Sequence, residues 1–326
     1  MIRKATFFVN NKVYLDNEVF NLKNKFLNRD NCLLPGLVLK NEFEKLGFDL
    51  STQDKNPIKD SEFVIYSDFP SNHNFDNPNS YLIIWETEVI INQNWEKKNF
   101  KYFKKIFTWN DEYVDNDVFF KINFPHHLIR EDLNKKSSFC CLVAGNHVSS
   151  HPNELYSKRL EVIKWFEKHK PSELDLYGPN WNRLVFKNRY LNYISFKLNL
   201  KVKNKVYRGL IGNKTKDLGK YKFAICFENA KGYPGYITEK IFDCFCSNIV
   251  PVYMGPPNIL DYIPENCFIN YNSFDTINLL VDFLEEMSDV TYNEYIKNIN
   301  NFLNSDSIKQ FNIEIFVSTI TKNIEI

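Results

Sequence analysis

The fold is decided by the stretch Lys222–Tyr253, which reads KFAICFENAKGYPGYITEKIFDCFCSNIVPVY. Its opening run, Lys222–Phe227, is continuously β-prone, as is typical of a strand buried on both faces of a parallel sheet. The loop that follows contains Gly232 and Gly235, which permit backbone turns that other residues resist. A helical pattern and a second β-prone run, Ile249–Tyr253, come next. The stretch therefore predicts a strand, a loop, a helix and a strand in that order.

The helix of this unit is predicted to begin near Ile237, with Thr238 as its N-cap, and to end at Ser247–Asn248. Its predicted apolar face consists of Ile237, Ile241, Cys244 and Phe245. A right-handed crossover places the N-terminus of such a helix at the carboxyl edge of the sheet, where its unpaired N–H groups attract a phosphate. Lys240, in the first turn, suits a diphosphate. The stretch matches neither GxGxxG nor GxxxxGK[ST], which excludes the standard dinucleotide-binding and P-loop motifs.

Working outward, the rest of the chain predicts two α/β domains. With 326 residues it exceeds what one hydrophobic core usually organises. Short β-like runs alternate with polar connections in the first part, and a second α/β series begins at the apolar strand Phe139–Ala144. We predict an N-terminal domain over residues 1–135, a second domain over 136–300 and a helical tail over 301–326. Near the C-terminus, one buried helix face is predicted from Ile277, Leu280, Val281 and Leu284.

The charge balance and the cysteines exclude some classes of function and indicate a compartment. The 41 basic and 40 acidic residues give a net charge of +1, so no broad positive field is available to hold a nucleic acid. No apolar run approaches the roughly twenty residues that a membrane-spanning helix requires. An odd number of cysteines, seven, without a recognisable secretion signal indicates free thiols in a reducing compartment. We expect a cytoplasmic protein with at most peripheral contact with the inner face of a membrane.

Four ordered motifs extend outward from the deciding stretch. They are Phe227–Asn229, Gly235–Ile241, Val250–Gly255 and Ile263–Ile269. Together they resemble the donor-site signature of the α-1,3/4-fucosyltransferases of glycosyltransferase family 10, over roughly fifty residues and in the right order. The resemblance implies an α/β fold of the GT-B type, with two Rossmann-like domains facing a cleft and C-terminal helices. It also implies that the second domain holds GDP-fucose and that the first domain binds the acceptor.

On this resemblance, donor contacts fall to Tyr236, Glu239 and Lys240. Glu239 would accept hydrogen bonds from the ribose hydroxyls, and Lys240 would neutralise the diphosphate, roles that suit a carboxylate and an ammonium. Glu228 and Asn229, in the first motif, complete the predicted donor-binding set in this stretch.

Periodicity places an arginine inside an apolar helix face. The segment Pro152–Lys170 is predicted to be a helix with the apolar stripe Leu155, Val162, Ile163 and Phe166, and steps of 100° put Arg159 within that stripe. Such an arginine can lay its stem along the core edge and pair its head with a carboxylate or with solvent. The resemblance favours another role, because Asn146 followed by a helical Arg159 matches the family pattern that brings an arginine to the donor phosphates.

An apolar strand, Tyr81–Trp85, ends in two carboxylates, Glu86 and Glu88. In an extended chain both would point to the same face. The resemblance implies that a glutamate at a comparable strand end is the general base, and Glu86 matches it best, with Glu88 as the second choice. Two solvated carboxylates at a strand end remain the alternative.

Three other features are interpreted as structural. Asp115 and Asp117 have DxD spacing but lie in a predicted turn of the first domain, away from the donor signature. His126 and His127 are adjacent, so in an extended chain they point in opposite directions and cannot easily share a metal ion. The loop within Asp175–Trp181 is given no role. We therefore predict no metal site.

The sequence thus predicts an inverting transfer of L-fucose from GDP-fucose, with Glu86 as base and with Arg159 and Lys240 stabilising the departing GDP. No cofactor is required, and divalent ions could stimulate turnover without being essential. The expected acceptor is an oligosaccharide or lipid-linked glycan, with O3 of GlcNAc in N-acetyllactosamine as the target hydroxyl. Two alternatives stay open: the same scaffold with another nucleotide sugar, and a catalytically silent module that binds a nucleotide sugar or glycan.

Overall fold

The structure, a computed structural model, describes residues 2–72, 75–128, 130, 136–212 and 217–325. The chain divides into two compact units. Unit 1 comprises Met1–His127 together with Lys309–Ile326, and unit 2 comprises Leu128–Ile308. The boundary predicted at residue 135 falls in 131–135, which lie outside the described residues.

Unit 1 is built on a parallel sheet whose described strands follow the order β2-β1-β3-β4-β5-β6. The strands are β1 Arg3–Val9, β2 Phe48–Thr52, β3 Phe63–Ser67, β4 Ser80–Ile83, β5 Lys105–Thr108 and β6 Phe119–Lys121. The helices of this unit are α1 Leu34–Lys45, α2 Lys97–Phe100 and, from the end of the chain, α8 Ile313–Asn323. Most positions of β3 and β4 are buried, as expected for strands covered on both faces.

Unit 2 contains a second parallel sheet, with the described strands in the order β12-β11-β10-β7-β8-β9. The strands are β7 Ser138–Val143, β8 Leu174–Tyr177, β9 Tyr207–Gly209, β10 Tyr221–Phe227, β11 Val250–Met254 and β12 Ile269–Asn270. The helices are α3 Tyr156–His169, α4 Arg189–Lys197, α5 Glu239–Cys246, α6 Ile277–Glu286 and α7 Asp289–Leu303. Each unit is therefore an α/β layer structure in its own right.

The unit predicted from Lys222–Tyr253 is confirmed. Strand β10 is buried at most positions and pairs in parallel with β11, with Phe223 opposite Val250. Helix α5 begins at Glu239, after the predicted N-cap Thr238, and so starts two residues later than the apolar periodicity indicates.

The C-terminal segment does not form a separate tail. The face predicted from Ile277, Leu280, Val281 and Leu284 is buried, as expected, in α6 of unit 2. Helix α8 instead joins the core of unit 1, where its residues Ile313, Phe316, Val317 and Ile320 are buried. An apolar face of this size cannot remain in water, so the last helix returns to the first unit. Within the described part of the chain, no helix combines the length and apolar character needed to cross a bilayer.

Candidate functional site

The predicted donor residues lie where the strand order of unit 2 reverses. The chain runs from β7 to β8 on one side and returns to β10 on the other side of β7. In open parallel sheets, ligands bind in the crevice outside the carboxyl ends of the strands at such a reversal. Asn146 lies in the loop that follows β7, and Glu228 is the first residue after β10. The topology therefore brings both predicted regions to one edge of the sheet.

Glu228 is the centre of a buried polar cluster. Its side chain is 0% exposed. Oε1 accepts hydrogen bonds from the backbone N–H of Thr238 at 2.9 Å and from the Tyr253 hydroxyl at 3.1 Å. Oε2 accepts from the Thr238 hydroxyl at 2.7 Å and from Lys240 Nζ at 3.1 Å. Each carboxylate oxygen of Glu228 thus accepts two hydrogen bonds within the protein, and these bonds link the carboxylate to Thr238, Lys240 and Tyr253.

Lys240 is the partly accessible member of this ion pair. Its side chain is 20% exposed, and Nζ also donates to Thr238 Oγ1 at 2.8 Å. Burial lowers the pKa of the Lys240 ammonium, but the carboxylates of Glu228 and Glu239 outweigh burial, so the pKa is raised overall. Lys240 is therefore charged at neutral pH.

The N-cap of α5 is occupied in an unusual way. Thr238 is in the predicted cap position, yet its hydroxyl makes no hydrogen bond to the helix N–H groups. The hydroxyl donates to Glu228 instead. The cap residue therefore does not neutralise the positive end of the helix dipole. Lys240 is the second residue of the same helix and adds a positive charge at this end.

Arg159 is buried within α3, as its position in the apolar stripe predicts, with 3% of its surface exposed. The predicted helix Pro152–Lys170 is shorter than expected and begins at Tyr156. Arg159 Nη2 donates to the backbone oxygen of Phe227 at 2.6 Å and to Asn229 Oδ1 at 3.0 Å. Its Nε and Nη1 make no hydrogen bond with any described residue.

The charge of Arg159 is only partly compensated. Burial lowers the pKa of the guanidinium, and the nearby Glu228 carboxylate opposes this effect. Arginine stays protonated even so. Two cations, Arg159 and Lys240, therefore act on the one fully buried carboxylate, Glu228, and these three groups have a net positive charge suited to an anion, while the second carboxylate near Lys240, Glu239, is about half exposed.

Tyr236 and Glu239 occupy different environments beside this cluster. Tyr236 is buried and lies close enough to Arg159 to interact with it electrostatically, although burial is the largest influence on the pKa of the Arg159 guanidinium and lowers it. Glu239 is about half exposed, with Oε1 3.9 Å from Lys240 Nζ. The structure thus brings Arg159, Glu228, Asn229, Tyr236, Glu239 and Lys240 into one region of unit 2.

Asn146 lies at the rim of a small cleft rather than in the ion-pair cluster. Its backbone N–H donates to Pro179 O at 3.0 Å, and its side-chain amide donates to Asn180 O at 3.2 Å. The cleft has a volume of about 190 Å³ and is also lined by His147 and Phe196. Burial lowers the pKa of His147, and the charge of Arg159 lowers it further.

In unit 1, Glu86 follows β4, which ends at Ile83 rather than at the predicted Trp85. The Glu86 backbone N–H donates to Asp68 Oδ1 at 3.1 Å. Its backbone oxygen accepts from Trp95 Nε1 at 3.0 Å and from Asn94 Nδ2 at 3.2 Å. The backbone of the candidate base is thus held on both sides. Both Glu86 and Glu88 are half-buried, so the geometry does not discriminate between them.

Asp68 is a residue that the sequence pattern did not reveal. It follows β3, has a left-handed backbone with φ of 61°, and is buried. Its Oδ1 accepts from the N–H groups of Trp85 and Glu86 and from Asn94 Nδ2 at 2.8 Å. Burial raises the pKa of the Asp68 carboxyl, and the three donors oppose this shift. The only available signal is an aspartate directly after a buried strand.

The feature with DxD spacing is a turn, as predicted. Asp115 Oδ1 accepts hydrogen bonds from the backbone N–H groups of Asp117, Val118 and Phe119 at 2.8–3.0 Å. Among the described residues, no three His, Cys, Asp or Glu side chains are grouped as potential metal ligands.

The family model described as glycosyltransferase family 10 (fucosyltransferase), C-terminal part, matches residues 133–309, more than half of the chain. The chain belongs to glycosyltransferase family 10. The alpha-(1,3)-fucosyltransferase FucT of Helicobacter pylori is 37% identical over 75 residues, which cover 23% of this chain and 16% of that protein. A 4-galactosyl-N-acetylglucosaminide 3-alpha-L-fucosyltransferase 9 of Mus musculus is 30% identical over 112 residues, covering 33% of this chain and 31% of the relative. The matched segments thus span less than a third of either relative's own length.

Solved structures of other glycosyltransferases share the fold over the whole chain. An α1,3-fucosyltransferase with GDP-fucose gives a TM-score of 0.56 at 17% identity, covering 99% of this chain and 90% of the other. A DNA-modifying β-glucosyltransferase gives a TM-score of 0.59 at 14% identity, covering 99% and 100%. The predicted GT-B type of α/β fold is therefore confirmed.

The family 10 motifs have a physical explanation in this structure. The first motif provides Glu228, the second provides Thr238 and Lys240, and the third provides Tyr253, whose hydroxyl reaches Glu228. A Cβ atom on Gly255 would lie 2.5 Å from that hydroxyl, so the glycine leaves space for it. Tyr253 was missed from sequence, although a tyrosine inside a buried strand needs a hydrogen-bond partner and was a usable signal.

We expect Asp68→Asn to retain the fold of this family 10 chain and Asp68→Ala to lose stability. An asparagine oxygen can still accept from Trp85, Glu86 and Asn94, whereas alanine leaves three donors unpaired, at a cost of at least about 2 kcal/mol. Because folding raises the Asp68 pKa, its contribution to the free energy of unfolding falls as pH rises through the folded pKa. Denaturant titrations of wild type and both variants across acid and neutral pH test this. An Asn variant with the same pH slope as wild type would contradict it.

Proposed function

We propose that this chain is an inverting fucosyltransferase that uses GDP-fucose as donor. The observation that carries the proposal is the cluster of Arg159, Glu228 and Lys240 at the strand-order reversal of unit 2, in a chain that belongs to glycosyltransferase family 10. Its net positive charge lies next to the N-terminus of α5, an arrangement suited to a diphosphate. The names of the relatives and the neighbour with GDP-fucose support the choice of donor.

The donor would be held by groups that still have hydrogen-bonding capacity. Lys240 Nζ has three N–H donors, of which Glu228 and Thr238 take two. Arg159 can offer Nε and Nη1 as a fork to a phosphate oxygen pair. Glu239 would accept from the ribose hydroxyls, and Tyr236 would complete the contact.

Two asparagines have different roles in this proposal: Asn229 positions Arg159, and Asn146 contacts the donor. Asn229 holds the Arg159 guanidinium in place through its side-chain oxygen. Asn146, at the rim of its cleft, would contact the donor from the loop that follows β7, while the other groups follow β10 or lie in α3 and α5. Glu228 is assigned to positioning Lys240, because its own oxygens are already used.

The chemistry is a single in-line displacement at the anomeric carbon of fucose. The acceptor oxygen forms the new bond while the bond from that carbon to the phosphate oxygen breaks, and GDP leaves with the electron pair. Glu86 takes the proton of the acceptor hydroxyl, and Arg159 and Lys240 stabilise the charge that develops on GDP. Glu88 is the alternative base. No step requires a metal ion, although divalent ions could stimulate turnover.

The proposed acceptor is a glycan of the N-acetyllactosamine type, modified at O3 of GlcNAc, on a surface oligosaccharide or a lipid-linked precursor. The name of the mouse relative, a 4-galactosyl-N-acetylglucosaminide 3-alpha-L-fucosyltransferase, supports this choice. We assign the protein to the cytoplasm, with peripheral membrane contact at most, and its free cysteines support a reducing compartment.

The test is GDP release from GDP-fucose and N-acetyllactosamine, with fucosylated product identified by mass spectrometry and with EDTA in one arm. We expect turnover with GDP-fucose in both arms and not with other nucleotide sugars. A different preferred donor would replace fucose in the proposal. Tight GDP binding without turnover on a panel of glycan acceptors would favour a silent binding module, and absence of GDP binding would overturn the proposal.

A further inference from the structure

The net charge of the chain is close to zero, but one segment of it is strongly basic. Residues 176–216 contain ten lysines and arginines and no aspartate or glutamate. The rest of the chain is therefore acidic on balance, since the total is only +1. A local charge of this density is an electrostatic signal for an anionic partner.

Helix α4, in the middle of this segment, turns its apolar residues outward. Tyr190 is 80% exposed, and Tyr193, Phe196 and the following Leu198 are each 64% exposed. Among the described side chains of this helix, the buried one is Ser195, whose hydroxyl donates to Leu184 O at 2.6 Å. Its polarity is thus inverted relative to a helix that packs on a core, where the apolar face is covered. Exposed apolar patches of this kind mark interaction sites.

Basic residues lie beside these apolar ones. Lys187 precedes the helix and Lys197 is its last residue. The segment after the helix alternates Leu200, Lys201, Val202 and Lys203, all of which are exposed. We call the exposed residues between Leu184 and Lys205 the α4 surface. It therefore presents aromatic, aliphatic and cationic groups to solvent in one place.

We propose that the α4 surface binds the anionic headgroups and upper acyl region of a lipid bilayer. Lysines gain about 1 kcal/mol each near an anionic membrane surface. Tyrosine, phenylalanine and leucine side chains can enter the boundary between headgroups and acyl chains, and long lysine side chains still reach the phosphates.

Other partners satisfy only part of this surface. A nucleic acid would neutralise the lysines but would leave aliphatic residues such as Leu191 and Leu198 without apolar partners. A second copy of the chain would cover the apolar groups but would bring two strongly basic segments together. An anionic bilayer matches both the charge and the apolar area.

The proposal does not depend on fucosyl transfer, but it bears on the acceptor. Asn192, Ser195 and Phe196 of α4 also line the cleft that contains Asn146. A bilayer bound at the α4 surface would therefore lie beside that cleft, where a lipid-linked substrate would be presented from the membrane.

The test is flotation of the full-length protein with vesicles of phosphatidylcholine alone or mixed with phosphatidylglycerol, at low and high salt. We expect binding to the mixed vesicles, weakened by salt, and little binding to phosphatidylcholine alone.

Lys201→Glu, Lys203→Glu and Lys205→Glu together should lower the partition coefficient on the order of a hundredfold. The matched control reverses Lys12, Lys23 and Lys25, which are exposed in unit 1, and should bind mixed vesicles far better than the α4-surface variant.

A second variant separates apolar insertion from charge. Tyr190→Ser, Tyr193→Ser and Phe196→Ser should weaken binding about tenfold or more while the salt dependence remains. Because these side chains are exposed, the thermal midpoint of the variant should stay near that of wild type, which circular dichroism checks.

Several results would overturn the proposal. They are failure of wild type to bind mixed vesicles, equal losses in the two charge-reversal variants, and binding of duplex DNA through the same lysines without vesicle binding. A dimer in sedimentation velocity that the serine variant dissociates would instead assign the α4 surface to self-association.

Discussion

Glu86→Gln should reduce kcat by about 10²–10⁴-fold while leaving the affinity for GDP unchanged. Glutamine keeps the shape of the side chain but cannot accept the proton of the acceptor hydroxyl. The backbone hydrogen bonds of Glu86 with Asp68, Trp95 and Asn94 do not involve its carboxylate, so the substitution leaves those bonds in place. The predicted GDP contacts lie in unit 2 and are not altered.

The matched control is Glu88→Gln, which changes a carboxylate two positions away on the same segment. Measuring initial rates at saturating donor and acceptor, with GDP affinity by calorimetry, separates catalysis from binding. If the loss occurs in Glu88→Gln instead, Glu88 is the base. If both variants keep more than about a tenth of wild-type turnover, neither carboxylate is the general base.

Periodicity and turn chemistry were sufficient to predict the framework of unit 2. The run Lys222–Phe227 is mostly apolar without alternating polar residues, which is typical of a parallel strand that is buried on both faces. Arg159 could be placed in the buried stripe of α3 from helix geometry alone, and the structure buries it there. These features depend on neighbours within a few residues, which a sequence displays directly.

Features that depend on distant parts of the chain were not predictable in the same way. The Glu228 carboxylate is enclosed because Tyr253 approaches it from a neighbouring strand, and no local pattern specifies that contact. Asp68 holds the Glu86 backbone across two adjacent strands for the same reason. The return of α8 to unit 1 likewise depends on which apolar face lacks a cover. Sequence reasoning thus identified the residue types of the cluster but not which of them are enclosed by contacts from distant parts of the chain.

Glu228→Gln should lower the free energy of unfolding by about 3–5 kcal/mol, because removing one member of a buried ion pair leaves the other charge uncompensated. Lys240 would lose its closest counter-charge, and in either orientation the new amide nitrogen would face a group that can only donate, Lys240 Nζ or the backbone N–H of Thr238. GDP affinity should fall as well, since Glu228 fixes the position of Lys240.

Glu239→Gln is the matched control for this prediction, because Glu239 is half exposed and 3.9 Å from the same ammonium. Its effect on the free energy of unfolding should stay within about 1 kcal/mol, as is usual for exposed pairs. Combining Glu228→Gln with Lys240→Met should cost less than the sum of the two single changes, because the double variant removes both members of the ion pair. Urea titrations of wild type, Glu228→Gln, Lys240→Met and the double variant measure this coupling. A Glu228→Gln variant as stable as Glu239→Gln would mean that the buried carboxylate does not organise the site, and the positioning of Lys240 would then have to come from Thr238.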